Sequence, residues 1–415
     1  MKVKMDVDRI RQGMFVAELD RPWLGTPFLF QGFLVESENE ILQLRELCKF
    51  VFVDDLKSCA DKEIQDLILS NIGGVSGARV KRISVEFEEW KGAEKLRQTL
   101  RRVNKVQIRS ADVMSGMLRD VRMGKSIKSS DTRKVITGIV DTVTANPKNA
   151  IWLTMLKSKH EEIANHSLNV SVLAASFAKY LDYPLEKIDM ISVGALLHDS
   201  GLAKIPAYII NKPGPLSKVE FELVKKHAAH AADVLKSTGD YTSEVIDIVR
   251  HHHERLDGTG YPDGLVGHEI PEYVQVVTIA DVYESMTTDK PYEKAVTPAT
   301  AMARLHKRVG THFSKYLVEA FIRCLGIYPL GSLVQLNNNA MGIVVSSQEE
   351  NRLKPVLLLV KDQQEKYMLP RKMVNLAAFK GYDELAENWS ITRIVDPGDC
   401  GIDVRRILLE EFTLR

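Results

Sequence analysis

Histidines crowd into the middle of this chain and stand beside carboxylates. All eleven histidines of the 415 residues lie between His160 and His312. Two short runs, His198-Asp199 and His252-His253-Glu254, place imidazole next to carboxylate. These two groups together are the ligands that borderline divalent metals prefer. We therefore expect the segment to fold so that separate parts of it converge on shared cations.

Length and composition limit the remaining options. A chain of 415 residues exceeds the usual size of a single core, which predicts two to three domains. Its 45% hydrophobic and 27% charged residues are typical of a globular protein in water. The net charge of +1 argues against nucleic acid or membrane as partner. The four cysteines show no CxxC spacing, and we found no signal peptide or long apolar run, so the expected location is the cytoplasm.

Residues 1–125 are predicted to form an amino-terminal regulatory module with a basic helical linker. Val3, Met5 and Val7 alternate with polar residues, the period of a strand, and a capping-box pattern at Ser37 and Glu40 starts a short helix. The segment shows no cluster of candidate catalytic or metal-binding residues, which favours an α+β module without an active site. The linker is basic, with thirteen Lys or Arg against four Asp or Glu over residues 91–134. This run is either a contact for an acidic partner or a solvated helix face, and the lack of interleaved aromatic residues favours the second.

Residues 126–326 read as almost wholly helical and carry the candidate ligands. Glu162 and His166 share one helix face, His198-Asp199 ends a second helix, and three more helices carry His227, His252-His253 and Asp281. Each histidine alone would more often be an ordinary core residue. Asp281 lies within an apolar run, where an unpaired carboxylate costs several kcal/mol, so a cation is expected beside it. Jointly, ligands on five helices indicate one metal site.

Residues 327–415 change to short apolar runs separated by turns. Ser332–Leu336 and Met341–Val345 flank an asparagine turn, and Pro355–Val360 and Ile391–Val395 add further strands. We predict a short β-rich appendage on a mostly α protein. Its expected role is packing or a contact between two copies in a homodimer.

The ordered motifs resemble those of the HD-GYP subgroup of HD-domain phosphohydrolases over about residues 150–325. The matching positions are His198-Asp199, Gly201, Pro206, His227, His252-His253-Glu254, Asp257-Gly-Thr-Gly260-Tyr261-Pro262 and Asp281. The resemblance implies a helical bundle holding two or three divalent ions, with iron or manganese favoured over nickel, cobalt or zinc. It also implies hydrolysis of the bacterial second messenger cyclic di-GMP. The amino-terminal module is similar to one found ahead of such domains.

The resemblance also assigns roles to individual residues. The implied metal ligands are Glu162, His166, His198, Asp199, His227, His252, His253 and Asp281. Asp199 would bridge two metals at the catalytic centre, and Glu162 would serve a third ion. The loop Gly260-Tyr261-Pro262 would border the guanine site and offer a surface to a signalling protein, while Lys290 and Lys294 would contact phosphates.

Three positions, Leu202, Lys290 and Glu293, depart from the family pattern. Leu202 stands where the family usually has a lysine that touches the scissile phosphate, and Lys204 is the candidate substitute. The Arg-Pro-Tyr segment of the family reads Lys290-Pro-Tyr292 in this chain. The next residue is Glu293, where the family has a basic residue. Lysine keeps the charge of arginine but loses its bidentate fork. These changes should leave metal binding intact, but we expect them to affect the turnover rate or the choice of substrate.

Four hypotheses follow from the sequence. The leading one is a phosphodiesterase that converts cyclic di-GMP to linear pGpG, with GMP as a further product. The second is a metal-bearing cyclic di-GMP receptor or interaction scaffold with weak or no turnover. A phosphohydrolase that prefers pGpG or another cyclic dinucleotide is the third, and nucleic-acid binding through the basic run is the weakest.

Overall fold

The computed structural model describes residues 2–21, 26, 28, 32–35, 37–54, 58, 90–155, 162–289, 294–347, 351–378 and 389–412. The chain divides into two compact units, residues 1–86 and residues 87–415. The predicted division into segments 1–125, 126–326 and 327–415 stays a proposal. The basic helix that we assigned to the amino-terminal segment lies in the second unit.

The first unit is the predicted small α+β module. Its described residues include helix α1 (Glu38–Leu47) and the strands β1 (Lys2–Asp6), β2 (Phe15–Leu19), β3 (Phe33–Leu34) and β4 (Phe50–Asp54). The strands form an antiparallel sheet in the order β1-β4-β2-β3. Val3 and Met5 are buried in its core, and Ser37 and Glu40 form the predicted capping box. The alternation and the cap therefore predicted these elements correctly.

Helices dominate the second unit. They are α2 (Ala93–Arg122), α3 (Ser129–Ala145), α4 (Pro147–Ala150), α5 (Glu162–Tyr180), α6 (Leu185–Leu197), α7 (Ala207–Ile210), α8 (Lys218–Thr238), α9 (Ser243–His251), α10 (Glu272–Thr287), α11 (Pro298–His306), α12 (Lys315–Leu325), α13 (Pro397–Cys400) and α14 (Val404–Phe412). A 3-10 helix, Ser200–Lys204, directly follows Asp199. None of the helices in the described residues is long and apolar enough to cross a membrane.

The buried positions of these helices follow the predicted spacing. In α2, Leu96, Leu100 and Val103 are buried while Arg101 and Arg102 are exposed, so the basic run covers the outer face of an amphipathic helix. In contrast, α5 is buried on nearly all sides from residue 167 to residue 178, which places it at the centre of the bundle. His166 stands directly before this stretch and faces Asp281 of α10.

An antiparallel sheet forms the predicted β-rich segment. Its strands are β5 (Leu333–Leu336), β6 (Met341–Ser346), β7 (Val356–Lys361), β8 (Met373–Asn375) and β9 (Ile391–Val395), in the order β8-β7-β6-β5-β9. The carboxy-terminal helix α14 was not predicted. It packs on the helical part, where Phe412 meets Trp152 edge to face and Glu411 pairs with Arg97 at 3.0 Å.

Candidate metal centre

Five helices of the second unit bring their polar side chains to one place. His166 comes from α5, His198-Asp199 from the end of α6, and His227 from α8. His252-His253 follow α9, and Asp281 lies in α10. His198, Asp199, His227, His252 and Asp281 are buried although they are polar. The predicted convergence of imidazole and carboxylate is therefore present.

Asp199 stands between two groups of histidines. Its Oδ1 lies 3.2 Å from Nε2 of His227 and 3.7 Å from Nε2 of His252. Its Oδ2 lies 3.5 Å from Nε2 of His166 and 3.5 Å from Nε2 of His198. The two oxygens of one carboxylate thus face two separate sets of nitrogen atoms.

These sets correspond to two groups of ligand atoms that could each hold an ion. One consists of Asp199, His227, His252 and His253, and the other of His166, His198 and Asp199. Asp281 lies beside the second group, with its Oδ1 3.1 Å from Nε2 of His166 and 3.9 Å from Nε2 of His198.

Backbone carbonyls orient three of the imidazoles. Nδ1 of His198, His227 and His252 lies 2.7–2.8 Å from the carbonyl oxygen three residues earlier in each helix. A carbonyl can only accept, so each Nδ1 carries the proton and donates it. Each Nε2 is then a lone-pair donor that faces the site, which is the arrangement that metal-binding histidines require.

Glu284, which was not among the predicted site residues, orients the fourth imidazole. Its Oε2 lies 2.5 Å from Nδ1 of His166, and its Oε1 accepts hydrogen bonds from Asn169 and Thr288, both at 2.8 Å. Glu284 is buried one helical turn after Asp281. That spacing of two carboxylates in an apolar helix was the available signal.

Burial and neighbouring charge oppose each other in the pKa values of this cluster. Burial disfavours the ionised form of Asp199, yet His198 and His227 hold its pKa well below the usual range. Burial likewise disfavours protonation of His166, yet Glu284 and Asp281 raise its pKa well above the ordinary value. Burial and the surrounding histidines lower the pKa of His252 and of His253. The cluster thus holds anionic carboxylates beside imidazoles of which at least two stay neutral, a donor set that attracts cations.

A buried nitrogen that makes no hydrogen bond supports the fit to a divalent metal. Nε2 of His198 is inaccessible to solvent and makes no hydrogen bond among the described residues. An orphaned buried polar atom is costly unless another species completes its interactions. A site of mixed imidazole and carboxylate donors without cysteine suits a divalent metal ion.

A glycine-containing loop borders the first group of ligands. The ring of Tyr261 packs over His253 with 4.6 Å between ring centroids, and the Tyr261-Pro262 peptide bond is cis. Buried Glu254 fastens the loop, because it accepts hydrogen bonds from the backbone N–H groups of residues 263, 264 and 265 at 2.7, 3.1 and 3.2 Å. A Cβ atom at Gly260 would lie 2.4 Å from Cα of Glu254, which explains the need for glycine there.

The remaining site residues that we predicted belong to neither ligand group as far as the structure describes them. Glu162 is exposed in the first turn of α5 and belongs to neither group. Lys204 is exposed at the end of its 3-10 helix, while Leu202 is half-buried. Lys290 lies outside the described residues. Lys294 is exposed and lines a cavity that it shares with Glu284. The assigned roles of these four charged residues stay predictions.

Comparison with known families agrees with this geometry. Residues 151–317 match the family described as an HD domain, and residues 2–132 match a domain of unknown function, DUF3391. The matched HD segment contains every residue of the two ligand groups. The fold and the site therefore define an HD-domain protein.

Individual proteins that are similar to this chain define its family within the HD-domain proteins. The chain is 31% identical over 401 residues to a Pseudomonas aeruginosa protein named Cyclic di-GMP phosphodiesterase PA4108, covering 95% of each chain. It is 35% identical over 155 residues to a Xanthomonas campestris protein named Cyclic di-GMP phosphodiesterase response regulator RpfG, covering 37% of this chain and 41% of that one. A solved HD-GYP-type structure from Bdellovibrio bacteriovorus, Bd1817, aligns over 78% of this chain and 99% of its own at 16% identity and a TM-score of 0.47. The match to the HD domain and the 31% identity to the Pseudomonas protein over nearly its whole length show that this chain belongs to the HD-GYP family.

Proposed function

We propose that the protein is a metal-dependent phosphodiesterase that hydrolyses cyclic di-GMP. The observation that carries the proposal is the position of Asp199, whose two carboxylate oxygens face two groups of histidine nitrogens. The relative with 31% identity over nearly the whole length is named as an enzyme of this activity. Similarity on that scale includes both the ligand cluster and the amino-terminal module.

Seven residues would hold two divalent ions. They are His166, His198, Asp199, His227, His252, His253 and Asp281. When bound, such ions lower the pKa of a water molecule and neutralise the charge on a phosphate. We favour iron or manganese, and a third ion would need Glu162 to reach the site from the first turn of α5.

The chain's own residues supply the order that this chemistry needs. Asp199 contacts the histidines of both groups. The backbone carbonyls that accept hydrogen bonds from His198, His227 and His252 keep each Nε2 facing inward. The side chains are fixed before substrate arrives, so little reorganisation accompanies the reaction.

In the proposed reaction, a water oxygen attacks phosphorus in line with the bond to the ribose 3′-oxygen. The P–O3′ bond breaks, the 3′-oxygen takes up a proton, and linear pGpG is released, with GMP as the product of a second cut. The loop Gly260-Tyr261-Pro262 would border a guanine base, because the Tyr261 ring lies beside the ligand His253. Lys204, Lys290 and Lys294 would supply positive charge for the phosphates.

The deciding experiment is anaerobic purification with metal analysis, followed by incubation with cyclic di-GMP and chromatography of the nucleotides. We expect about two equivalents of iron or manganese and the appearance of pGpG, with GMP at longer times. Asp199→Asn serves as the inactive control. A metal-loaded, folded wild-type protein that leaves cyclic di-GMP uncut overturns the proposal.

A second function is favoured by one observation, the half-buried Leu202 at the position where the family carries a phosphate-contacting lysine. In this alternative the protein is a metal-bearing cyclic di-GMP receptor. It predicts ligand binding by calorimetry without formation of pGpG, and rapid product release excludes it.

For either function we propose a cytoplasmic protein, a signalling partner at the loop around Tyr261, and a homodimer through the β-rich segment.

A further inference from the structure

Arg255 carries a half-buried positive charge beside the first ligand group and the loop around Tyr261. It follows the ligand His253 by two residues and comes directly after Glu254, the anchor of that loop. A Cβ atom at Gly260 would lie 2.5 Å from the backbone nitrogen of Arg255, so the loop passes tightly over this position. The backbone of Arg255 is therefore held close to the metal centre.

The contacts of the Arg255 side chain leave most of its guanidinium donors available. Nη1 donates to the backbone carbonyl of Glu254 at 3.0 Å, and the guanidinium carbon lies 5.5 Å from the centre of the Phe313 ring. A guanidinium carries five N–H groups and no acceptor. The described residues accept this one hydrogen bond from Arg255, so its other donors have no protein acceptor in the described part of the chain.

No carboxylate among the described residues forms an ion pair with Arg255. Glu254 uses its carboxylate on the backbone N–H groups of the loop. Asp257 accepts two hydrogen bonds from Thr259 at Oδ1, while its Oδ2 lies 3.9 Å from Nε2 of His312. A half-buried charge without a counter-ion is costly, so this position favours an anion that these residues do not supply.

The charge of Arg255 acts on the metal centre. Burial lowers the pKa of Arg255, and the main opposing influence is the negative charge of Asp281. Burial is likewise the main cause of the lowered pKa of His253, to which the charge of Arg255 contributes. Asp281 is a proposed metal ligand, so its charge is offset when the centre is loaded. Because Arg308 adds a second positive charge, the surroundings of Arg255 in the loaded protein attract an anion.

A phosphate of the proposed substrate is the anion that suits this position. The guanidinium fork can donate two parallel N–H groups to the two non-bridging oxygens of a phosphodiester. Leu202 and Glu293 take the places of two basic residues of the family, which leaves fewer cations for the phosphates. Lys204 and Lys294 are exposed, whereas Arg255 is half-buried next to the ligands, where salt screens a charge less.

We propose that Arg255 binds a phosphate of the cyclic dinucleotide at the metal centre through its guanidinium fork. The identity of this phosphate rests on the proposed function, whereas the contact itself can be tested on GMP, the end product. Arg255 then touches the substrate directly, and Glu254 keeps both Arg255 and the Tyr261 loop in place.

Isothermal titration calorimetry with GMP and with guanosine isolates the contact, because the two molecules differ only in the phosphate. We expect the metal-loaded protein to bind GMP more tightly than guanosine. Arg255→Gln should reduce this ratio of affinities at least about tenfold, the scale of a hydrogen bond between charged groups, and leave guanosine binding unchanged. Arg255→Lys keeps the charge but loses the fork, so it should reduce the ratio by less. Arg304→Gln, exposed on α11, is the matched control and should not change the ratio.

Metal analysis and kinetics separate a phosphate contact from an indirect effect on the metal ligands. We expect Arg255→Gln to hold as much metal as the wild-type protein after dialysis, while its kcat/KM for cyclic di-GMP falls at least about 10²-fold. Arg255→Lys should lie between the two, because a single charge attracts the phosphate without binding it bidentately.

Three results overturn the inference. They are equal affinity of the wild-type protein for GMP and guanosine, a ratio of affinities that Arg255→Gln leaves unchanged, and a loss of metal from Arg255→Gln that accounts for its loss of GMP binding. Circular dichroism and thermal unfolding establish that the variants are folded. If Arg255→Gln does not fold, Arg255→Lys decides the question, because a ratio equal to that of the wild-type protein excludes the bidentate contact.

Failure of the proposed function gives a different pattern of results. A wild-type protein that leaves cyclic di-GMP uncut, but whose preference for GMP over guanosine falls in Arg255→Gln, contradicts the proposed function and supports the phosphate contact. If the wild-type protein and Arg255→Gln cut cyclic di-GMP at the same rate, the proposed function stands and the contact is excluded.

Discussion

Glu284 contacts His166 at Nδ1, opposite the nitrogen that faces Asp199 and Asp281. A partner of this kind fixes the tautomer and the ring orientation of a metal ligand and raises its basicity. Glu284 is therefore a positioning residue for the second ligand group.

The variant Glu284→Gln tests this role. An amide keeps the shape of the carboxylate but removes its charge, so we expect metal affinity at the His166 group to fall about 10–100-fold. Metal content after dialysis against a graded chelator series measures the effect. Glu186→Gln, exposed on α6, is the control. Equal metal retention in both variants would contradict the assignment.

The inward placement of the candidate ligands on helices could be predicted from sequence because helix geometry is local. Residues spaced by three or four positions share a face, so the apolar stripes of α5 and α10 indicated that His166 and Asp281 point inward. The strands Lys2–Asp6 and Met341–Ser346 were equally readable from alternation or from a continuous apolar run.

What the sequence did not show depends on contacts between distant parts of the chain. The contact of Glu284 with His166 joins α10 to α5, and no local pattern records it. The division of the ligands into two groups around Asp199 arises from how four helices pack, which periodicity cannot supply. Helix α14 was not predicted, because its apolar side is short and the residues it contacts, Trp152 and Arg97, lie far away in sequence.

Asp199→Asn should remove activity more completely than the loss of any single histidine. Asparagine offers one oxygen and no charge, so both ligand groups lose their shared anion. We expect cyclic di-GMP hydrolysis to fall by at least about 10²–10³, the scale of losing one important electrostatic group. Chromatography of the products measures the loss, with Asp182→Asn at an exposed position as control. Retained turnover in Asp199→Asn would rule out the bridging role.

Glu254→Gln should loosen the loop that carries Tyr261 without unfolding the bundle. The buried carboxylate accepts three backbone N–H groups, and an amide would present its own N–H to at least one of them. We expect a loss of about 1–3 kcal/mol in the free energy of unfolding, measured by urea denaturation. Glu269→Gln is a matched control, because Glu269 accepts one exposed N–H from Val266. A similar effect of the two substitutions would contradict the anchoring role of Glu254.

The ion pair between Arg250 and Asp263 predicts a pH dependence of stability. The hydrogen bonds from Arg250 lower the pKa of Asp263 to about 2, although burial acts in the opposite direction. The folded state then holds its proton less tightly than the unfolded chain, whose aspartate has a pKa of about 3.9. The contribution is therefore complete above about pH 4 and is lost as the pH falls toward about 2.

Comparison with Asp263→Asn isolates this contribution. The difference in free energy of unfolding between the wild-type protein and this variant should be present at pH 5 and shrink below about pH 4. Because Asp263 is about one-third exposed, the difference will be small and will decrease with added salt. Urea denaturation at several pH values measures it, and a difference that grows on acidification would contradict the assigned pKa shift.

Lys204 and Leu202 decide whether this chain replaces the family's phosphate-contacting lysine or does without it. Both lie on the 3-10 helix that begins after Asp199, with Lys204 exposed and Leu202 half-buried. If Lys204 supplies the charge, Lys204→Gln should lower kcat/KM for cyclic di-GMP by about 10²-fold while metal content stays unchanged. Adding Leu202→Lys to Lys204→Gln should restore much of that loss, because the charge returns at the position where the family carries it. A fully active Lys204→Gln protein would exclude Lys204 from the reaction, and a double variant as slow as the single one would show that position 202 does not reach the phosphate.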